Sequence, residues 1–237
     1  MLIASGRHTE ADLCLWEDYA EADMVRSRTD GLKRLVDRSI AEIRRFNNRG
    51  DTYASISFGK DSVALAHLIL MANERVPLVH IKAVPFGNPD CWQVRDAILP
   101  RLGFEYREHI ADYGYDATEA EKDRIFFGIF RKESGRYFSG IRADESRGRK
   151  IRMRAHGLTS KNACAPLGWW SASDVFAYLA MHDLPVHPAY AMLGGGRWDR
   201  KQIRVDELGG DRGGQLGRSE WEQEYYGDEL RRIMSRK

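Results

Sequence analysis

The chain has 237 residues, 43% hydrophobic and 30% charged, with a formal net charge of +2. That is ample apolar material for a core in one or two domains, and the near-neutral balance excludes a global field recruiting nucleic acid or an anionic membrane, so anion binding must be local. Cys14, Cys91 and Cys164 are odd in number and too scattered for a sequence-local metal knuckle, which points to a reducing compartment rather than a disulfide framework. Without a basic-then-apolar leader pattern or an apolar run of membrane-spanning length, the expectation is a cytoplasmic protein with no membrane partner.

Along the chain, residues 1–50 read as a helical segment packed on the core. Leu32, Leu35, Val36, Ile40 and Ile43 recur at helical spacing and predict an amphipathic helix over Asp30 to Phe46, ended by Asn47 to Gly50. Tyr53 to Ser57 predicts a strand that turns at Ser57-Phe58-Gly59-Lys60-Asp61-Ser62 into a helix opening near Asp61, apolar on nearly all sides from Val63 to Ala72. A strand over Pro77 to Val84, a helix over Cys91 to Leu102, a strand over Phe104 to Ile110, a helix over Ala117 to Lys132 and a strand over Tyr137 to Ile141 follow. This alternation predicts an α/β fold, a parallel twisted sheet with helices on both faces, spanning residues 51–190, with ligands bound at the carboxyl ends of the strands.

The Ser57 to Ser62 loop lies at such an end. Gly59 lets the backbone approach a ligand and take positive φ if required. The first amides of the next helix lack intrahelical partners and stand at the positive end of its dipole, which favours an anion. Lys60 adds a mobile charge, the Ser57 and Ser62 hydroxyls can donate to phosphate oxygens, and Asp61, repelled by bare phosphate, suits a divalent cation or a water. An ordinary strand-to-helix turn capped by Asp61 is the alternative for these residues alone.

A second constellation, Gly140-Ile141-Arg142-Ala143-Asp144-Glu145-Ser146, places Arg142 at the same sheet edge, where it can stabilise charge developing on phosphate. Glu145 is read as orienting Arg142 or binding a cation. Arg147, Arg149, Lys150, Arg152 and Arg154 read either as further positive charge for a ligand or as a solvated basic stretch. Ser171 and Asp174 form a capping-box pattern for a helix burying Val175, Tyr178 and Leu179, and His187 reads as a loop or packing histidine. Residues 191–237 carry two Gly/Arg-rich stretches, Gly194 to Lys201 and Gly209 to Gly214, open to a nucleotide lid or plain packing. A terminal helix from Ser219 to Met234, capped by Ser219, is expected to dock through Trp221, Tyr225, Leu230 and Ile233.

Taken in order, Ser57 to Ser62, Gly140 to Ser146, and Pro166-Leu167 through Trp170, Asp174-Val175 and Pro188-Ala189-Tyr190 resemble the phosphoadenosine phosphosulfate (PAPS) reductase family of PP-loop, adenine nucleotide alpha-hydrolase-like proteins. The resemblance covers about Tyr53 to Tyr190, with Phe58 where many relatives have glycine. It implies a Rossmann-like fold in which the loop Ser57, Phe58, Gly59, Lys60, Asp61 and Ser62 binds the phosphates of an adenine nucleotide. The strand Leu78 to Lys82, with Ile81, passes the adenine; Gly140 and Arg142 face the phosphate or sulfate end, and Asp61 lies near magnesium. Glu145, Ser146 and Arg149 are the candidates for contacting an acceptor.

Sulfonucleotide reduction in this family uses a cysteine near the carboxyl terminus, and no cysteine follows Cys164 here, which is expected to pack beside the sheet. Three cysteines do not supply the four thiolates of an iron–sulfur cluster, so none is expected. The leading expectation is an ATP- and Mg2+-dependent enzyme cleaving the alpha–beta phosphate bond, with Lys60 and Arg142 as catalytic residues, AMP passed to an unknown acceptor and pyrophosphate released. Open beside it are a sulfonucleotide reductase-like or sulfurtransferase-type enzyme and a nucleotide-binding subunit of a complex, homodimeric or with a partner. Nucleic acid is a disfavoured partner on charge grounds, with DNA-modification chemistry the form it would take.

Overall fold

The computed structural model describes every residue except Tyr115, Ser134, Asp206, 210–217 and 236–237. Helices α1 (Glu10–Ser27) and α2 (Asp30–Asn47) lead into β1 (Tyr53–Ser55), α3 (Lys60–Met71), β2 (Leu78–Val84), α4 (Cys91–Leu102) and β3 (Tyr106–Asp112). Then come α5 (Glu119–Phe130), β4 (Tyr137–Phe138), α6 (Arg147–His156), β5 (Ala163–Cys164), α7 (Ala172–Met181) and α8 (Arg218–Met234).

The strands form one parallel five-stranded sheet in the order β3-β2-β1-β4-β5. The chain steps outward from β1 to β2 and β3, then returns to the other side of β1 for β4, so the topological switch point falls between β1 and β4. Ligands of doubly wound sheets sit outside the carboxyl ends of the strands at such a point. The predicted α/β class stands.

Burial follows the expected pattern. Helix α3 is apolar on most sides because it lies against the sheet, with Val63, Ala64, Leu65, Leu68 and Ile69 buried. Helix α2 is amphipathic and buries Leu32, Ile43 and Phe46, while its Ser39 donates to the Pro166 carbonyl and accepts from the Trp170 indole. The capping box at Ser171 and Asp174 is formed, and Asp174 also receives the Arg26 guanidinium of α1. Cys164 is buried in β5, and burial pushes its thiol up to about 11.

Several boundaries differ from expectation. Helix α3 opens at Lys60 rather than Asp61, β3 runs two residues later than predicted, and Ser219 lies inside α8, which begins at Arg218. Residues Arg147 to His156, read as a charged stretch, form helix α6. The carboxyl-terminal stretch from Gly194 is a packed segment rather than a loose loop. Trp198 sits against Gly194 and Tyr225, and Arg200 is buried in a bidentate pair with Asp23 of α1. Of the second Gly-rich stretch, all but Gly209 lies outside the described residues.

Candidate active site

The loop after β1 is tied to itself. The Ser57 amide donates to the Ser62 hydroxyl (3.2 Å), which in turn donates to the Gly59 carbonyl (3.0 Å). The positive φ expected of Gly59 falls instead on Phe58, at 60°, while Gly59 is extended. A bulky residue at such a φ is strained and persists only where packing over-determines it. Here the Phe58 ring is fully buried against His80 and Tyr106, with centroids 4.9 and 6.1 Å away. Gly59 is required for space: a Cβ there would stand 3.1 Å from both the Tyr190 hydroxyl and Val205 Cγ2.

Lys60 is not the mobile cation its sequence position suggested. Its side chain is 4% exposed, and its Nζ lies 3.0 Å from Asp61 Oδ2 and 5.1 Å from the centre of the Tyr190 ring. The Tyr190 hydroxyl also accepts from the Lys60 amide. Burial pulls the Lys60 pKa down, but Tyr190 and Asp61 outweigh it and hold it above the ordinary lysine value.

Arg142, just beyond β4, comes to the same place from the other side of the switch point. It is 2% exposed, and its Nε donates to Asp61 Oδ1 at 2.6 Å. Its Nη1 pairs with Asp144, and its Nη2 lies 3.7 Å from Glu145. Burial again opposes the charge, and Asp61, Asp144 and Glu145 overcome it. Gly140 makes the approach of β4 to α3 close, because a Cβ there would stand 3.1 Å from the Asp61 carbonyl carbon.

The Asp61 carboxylate thus bridges two buried cations at the first turn of a helix. Both oxygens are taken, and among the described residues no group of three or more His, Cys, Asp or Glu side chains is arranged to hold a metal. A resident magnesium site does not fit these residues. A magnesium ion arriving on a nucleotide's phosphates would have to draw Asp61 away from Lys60 or Arg142.

Of the acceptor candidates, Ser146 caps α6 by accepting from the Arg149 amide, and Arg149 pairs with Glu145. Glu145 also accepts the Arg142 amide at 3.1 Å, so it orients the arginine turn. These residues build the wall beside Arg142 and leave Arg149 half-buried on its rim.

On the β2 side of β1 a cleft opens, lined by Ser57, His80, Ile81, Trp92, Phe130 and Glu207. Ile81 is therefore where an adenine passing β2 would lie. His80 is buried with its Nδ1 2.8 Å from the Ile56 carbonyl, and burial lowers its pKa. His187 is fully buried, accepts the Ala189 amide on Nδ1, and burial pushes its pKa down to about 3, so it is a packing histidine as expected. The carboxyl-terminal segment closes over this cleft: Val205 packs on Gly59, and the Leu208 amide donates to the Phe86 carbonyl.

Tyr190, Trp92 and His80 are site residues that sequence reasoning did not single out. Tyr190 had a signal, since it ends the third motif; the others are placed by tertiary packing.

No family profile matches the chain. The PAPS reductase of Xanthomonas axonopodis pv. citri is 21% identical over 229 residues, covering 88% of this chain and 90% of that protein. Over most of its length the chain is similar in sequence to PAPS reductases. The corresponding protein of Xanthomonas euvesicatoria pv. vesicatoria is 23% identical over 193 residues, 73% of this chain and 76% of its own length. Among solved structures, the FMN adenylyltransferase of Candida glabrata in complex with ATP superposes with a TM-score of 0.50 at 16% identity, covering 78% of this chain and 70% of that one. That likeness is one of fold.

Proposed function

We propose that the chain binds an adenine nucleotide across the β1 switch point, with its base in the Ile81 and Trp92 cleft and its phosphates at the loop Ser57–Ser62, and cleaves the bond between the alpha and beta phosphates. The observation that carries this is the convergence of two buried cations, Lys60 and Arg142, from the ends of two different strands, on one anionic position at the amino end of α3. A phosphate oxygen replacing the Asp61 carboxylate there would meet both cations and the helix-opening amides.

In the step proposed, an oxygen of the acceptor donates its lone pair to the alpha phosphorus. The bond from that phosphorus to the bridging oxygen breaks, and its electron pair leaves with pyrophosphate. The acceptor's proton passes to solvent. Lys60 and Arg142 stabilise the charge gathering on the phosphate oxygens. Asp61, once a phosphate oxygen has displaced it from Lys60 or Arg142, would be free to hold a magnesium ion brought in as part of the nucleotide substrate. Catalysis is then positioning and electrostatics, and the step requires no strong general base.

The names of the curated relatives favour a second reading, a sulfonucleotide enzyme. Against a thiol-based reduction stand the buried Cys164, whose thiol burial holds protonated, and the buried Cys91, which donates to the Val205 carbonyl at 3.3 Å. A single experiment separates the readings: pyrophosphate release from ATP and sulfite release from PAPS, measured side by side with calorimetric binding of both nucleotides. ATP turnover abolished by Lys60→Ala and Arg142→Ala supports the first. Sulfite release supports the second, and ATP binding without turnover identifies a nucleotide-binding subunit. Absence of any nucleotide binding sinks all three.

A further inference from the structure

Apart from Arg149, helix α6 lends no residue to the wall beside Arg142, yet it starts five residues after Arg142 and carries Arg147, Arg149, Lys150, Arg152 and Arg154 with no acidic residue. Only Met153 is buried. Arg149 is neutralised by Glu145, but Arg147, Lys150, Arg152 and Arg154 are exposed and make no ion pair or side-chain hydrogen bond among the described residues. At helical spacing Arg147, Lys150 and Arg154 stand on one face, with the exposed Ile151 among them.

A solvated basic helix would ordinarily need no explanation. What sets this one apart is the aromatic beside it. Trp169 is partly buried against the small apolar cluster of Ala143, Met153 and Ala165, to which α6 contributes Met153 and the Arg142 turn Ala143. The preceding Gly168 accepts the Ala143 amide at 2.8 Å, and a Cβ there would stand 2.3 Å from Leu158 Cδ2, so only glycine fits this position. Trp169 has no aromatic partner among the described residues. Exposed cations in a row and a nearby aromatic side chain are the two components by which single-stranded nucleic acids are held.

We infer that α6 and Trp169 form a binding face for single-stranded nucleic acid, with the backbone along Arg147, Lys150 and Arg154 and a base stacked on Trp169. The three cations span about 10 Å of helix, matching about three phosphates of one strand. In the sheet order the cleft at Ile81 lies on the β2 side of β1 and α6 follows β4 on the other, so a strand bound here runs toward Arg142 from the side opposite the base cleft. An acidic peptide would use the cations but not the aromatic, and a membrane would call for more than one exposed apolar residue on the helix. Binding to this face does not depend on nucleotide turnover.

The test is fluorescence anisotropy with labelled single-stranded RNA and DNA of about 20 nucleotides, read between about 50 and about 200 mM salt. The wild-type chain is expected to bind, and the variant Arg147→Ala/Lys150→Ala/Arg154→Ala to flatten the slope of log affinity against log salt by about 2, since each phosphate contact contributes about 0.7. Trp169→Ala should weaken binding about tenfold at unchanged slope, with Trp169→Phe restoring most of it. ATP binding and the thermal melt of the triple variant should match wild type, which separates this face from the nucleotide site. No binding by the wild-type chain at the lowest salt overturns the inference, as does a triple variant with unaltered affinity and slope. Retention on phosphatidylserine vesicles without oligonucleotide binding, or an unchanged Trp169→Ala, does the same.

Discussion

Asp61→Asn is the perturbation that most directly probes the site. In the ligand-free chain Asp61 is the shared counter-ion of Lys60 and Arg142, and its own side chain is 19% exposed. Removing one partner of a buried ion pair costs about 3–5 kcal/mol. Arg142 keeps Asp144 and Glu145, and Asp61 is not fully buried, so the cost falls below that range, at about 2–3 kcal/mol. In a chain of this size each kcal/mol shifts the melting temperature by about 2–4 °C, which predicts a fall of about 4–12 °C. An anion seated between the two cations should recover it. At a pyrophosphate concentration about a hundredfold above its dissociation constant the gain is about 2.7 kcal/mol, enough to cancel most of the loss. Thermal unfolding of wild type and variant with pyrophosphate titrated, in magnesium and in EDTA, gives the readout. The variant should respond to pyrophosphate more strongly than wild type, because wild type must first displace its own carboxylate. Equal melting temperatures without ligand, or a variant deaf to pyrophosphate in EDTA, would refute the counter-ion account.

Asp23→Ala leaves the Arg200 guanidinium buried and unpaired and should cost about 3–5 kcal/mol by urea unfolding, whereas the paired replacement Asp23→Leu with Arg200→Met should cost far less. Gly140→Ala forces the β4 turn away from the Asp61 backbone; overpacking of this kind costs about 1–3 kcal/mol, and calorimetry should show weakened ATP binding together with the lost stability. Burial lowers His67 to about 4, with His182 and Arg101 adding to it, and burial lowers His187 to about 3 and His80 to below its ordinary value. The folded chain keeps these rings neutral while the unfolded chain protonates them below about pH 6.5, so unfolding takes up protons. Stability should therefore fall as the pH drops through 6 toward 4, and urea unfolding at constant ionic strength that shows no loss over that window would contradict the neutral assignment.

How much of this was legible in the sequence depends on what each element buries. The loop after β1 and the Arg142 turn were readable because their residue types are dictated by local chemistry: a strand end, a helix start, glycine where the backbone must come close. Helix α2 was readable because its buried face is apolar. Helix α1 was expected only as part of a helical segment, since the residues it buries are Asp12 and Asp23 rather than an apolar stripe. Asp12 accepts the Leu193 amide and the Tyr225 hydroxyl, and Asp23 holds Arg200, so the helix is fixed by polar partners about 180 residues away that no local window contains. Helix α6 was hidden for the opposite reason: one buried residue, Met153, gives no period to detect. The left-handed Phe58 could not be placed from its type, because the packing of His80 and Tyr106 around its ring comes from β2 and β3.

The charge balance, which seemed to argue against polyanion binding, acquires a different meaning from the placement of the charges. At the Arg142 turn, Lys60, Arg142 and Arg149 are matched by Asp61, Asp144 and Glu145, so the proposed phosphate site is internally neutral until a ligand displaces a carboxylate. Lys60 and Arg142 are buried, and salt screens buried pairs weakly. On α6 the cations other than Arg149 are exposed and have no counter-ion among the described residues, so anything bound there competes with bulk salt. A net charge near zero is thus the sum of a neutralised pocket and an open basic face, and the two should separate experimentally: nucleotide affinity nearly flat between about 50 and about 200 mM salt, strand affinity falling by roughly fifteenfold over the same interval at a slope of about −2. Nucleotide binding that weakened as steeply as strand binding would mean that the phosphates, too, are held by exposed charge, and that the buried Lys60 and Arg142 are not the groups that meet them.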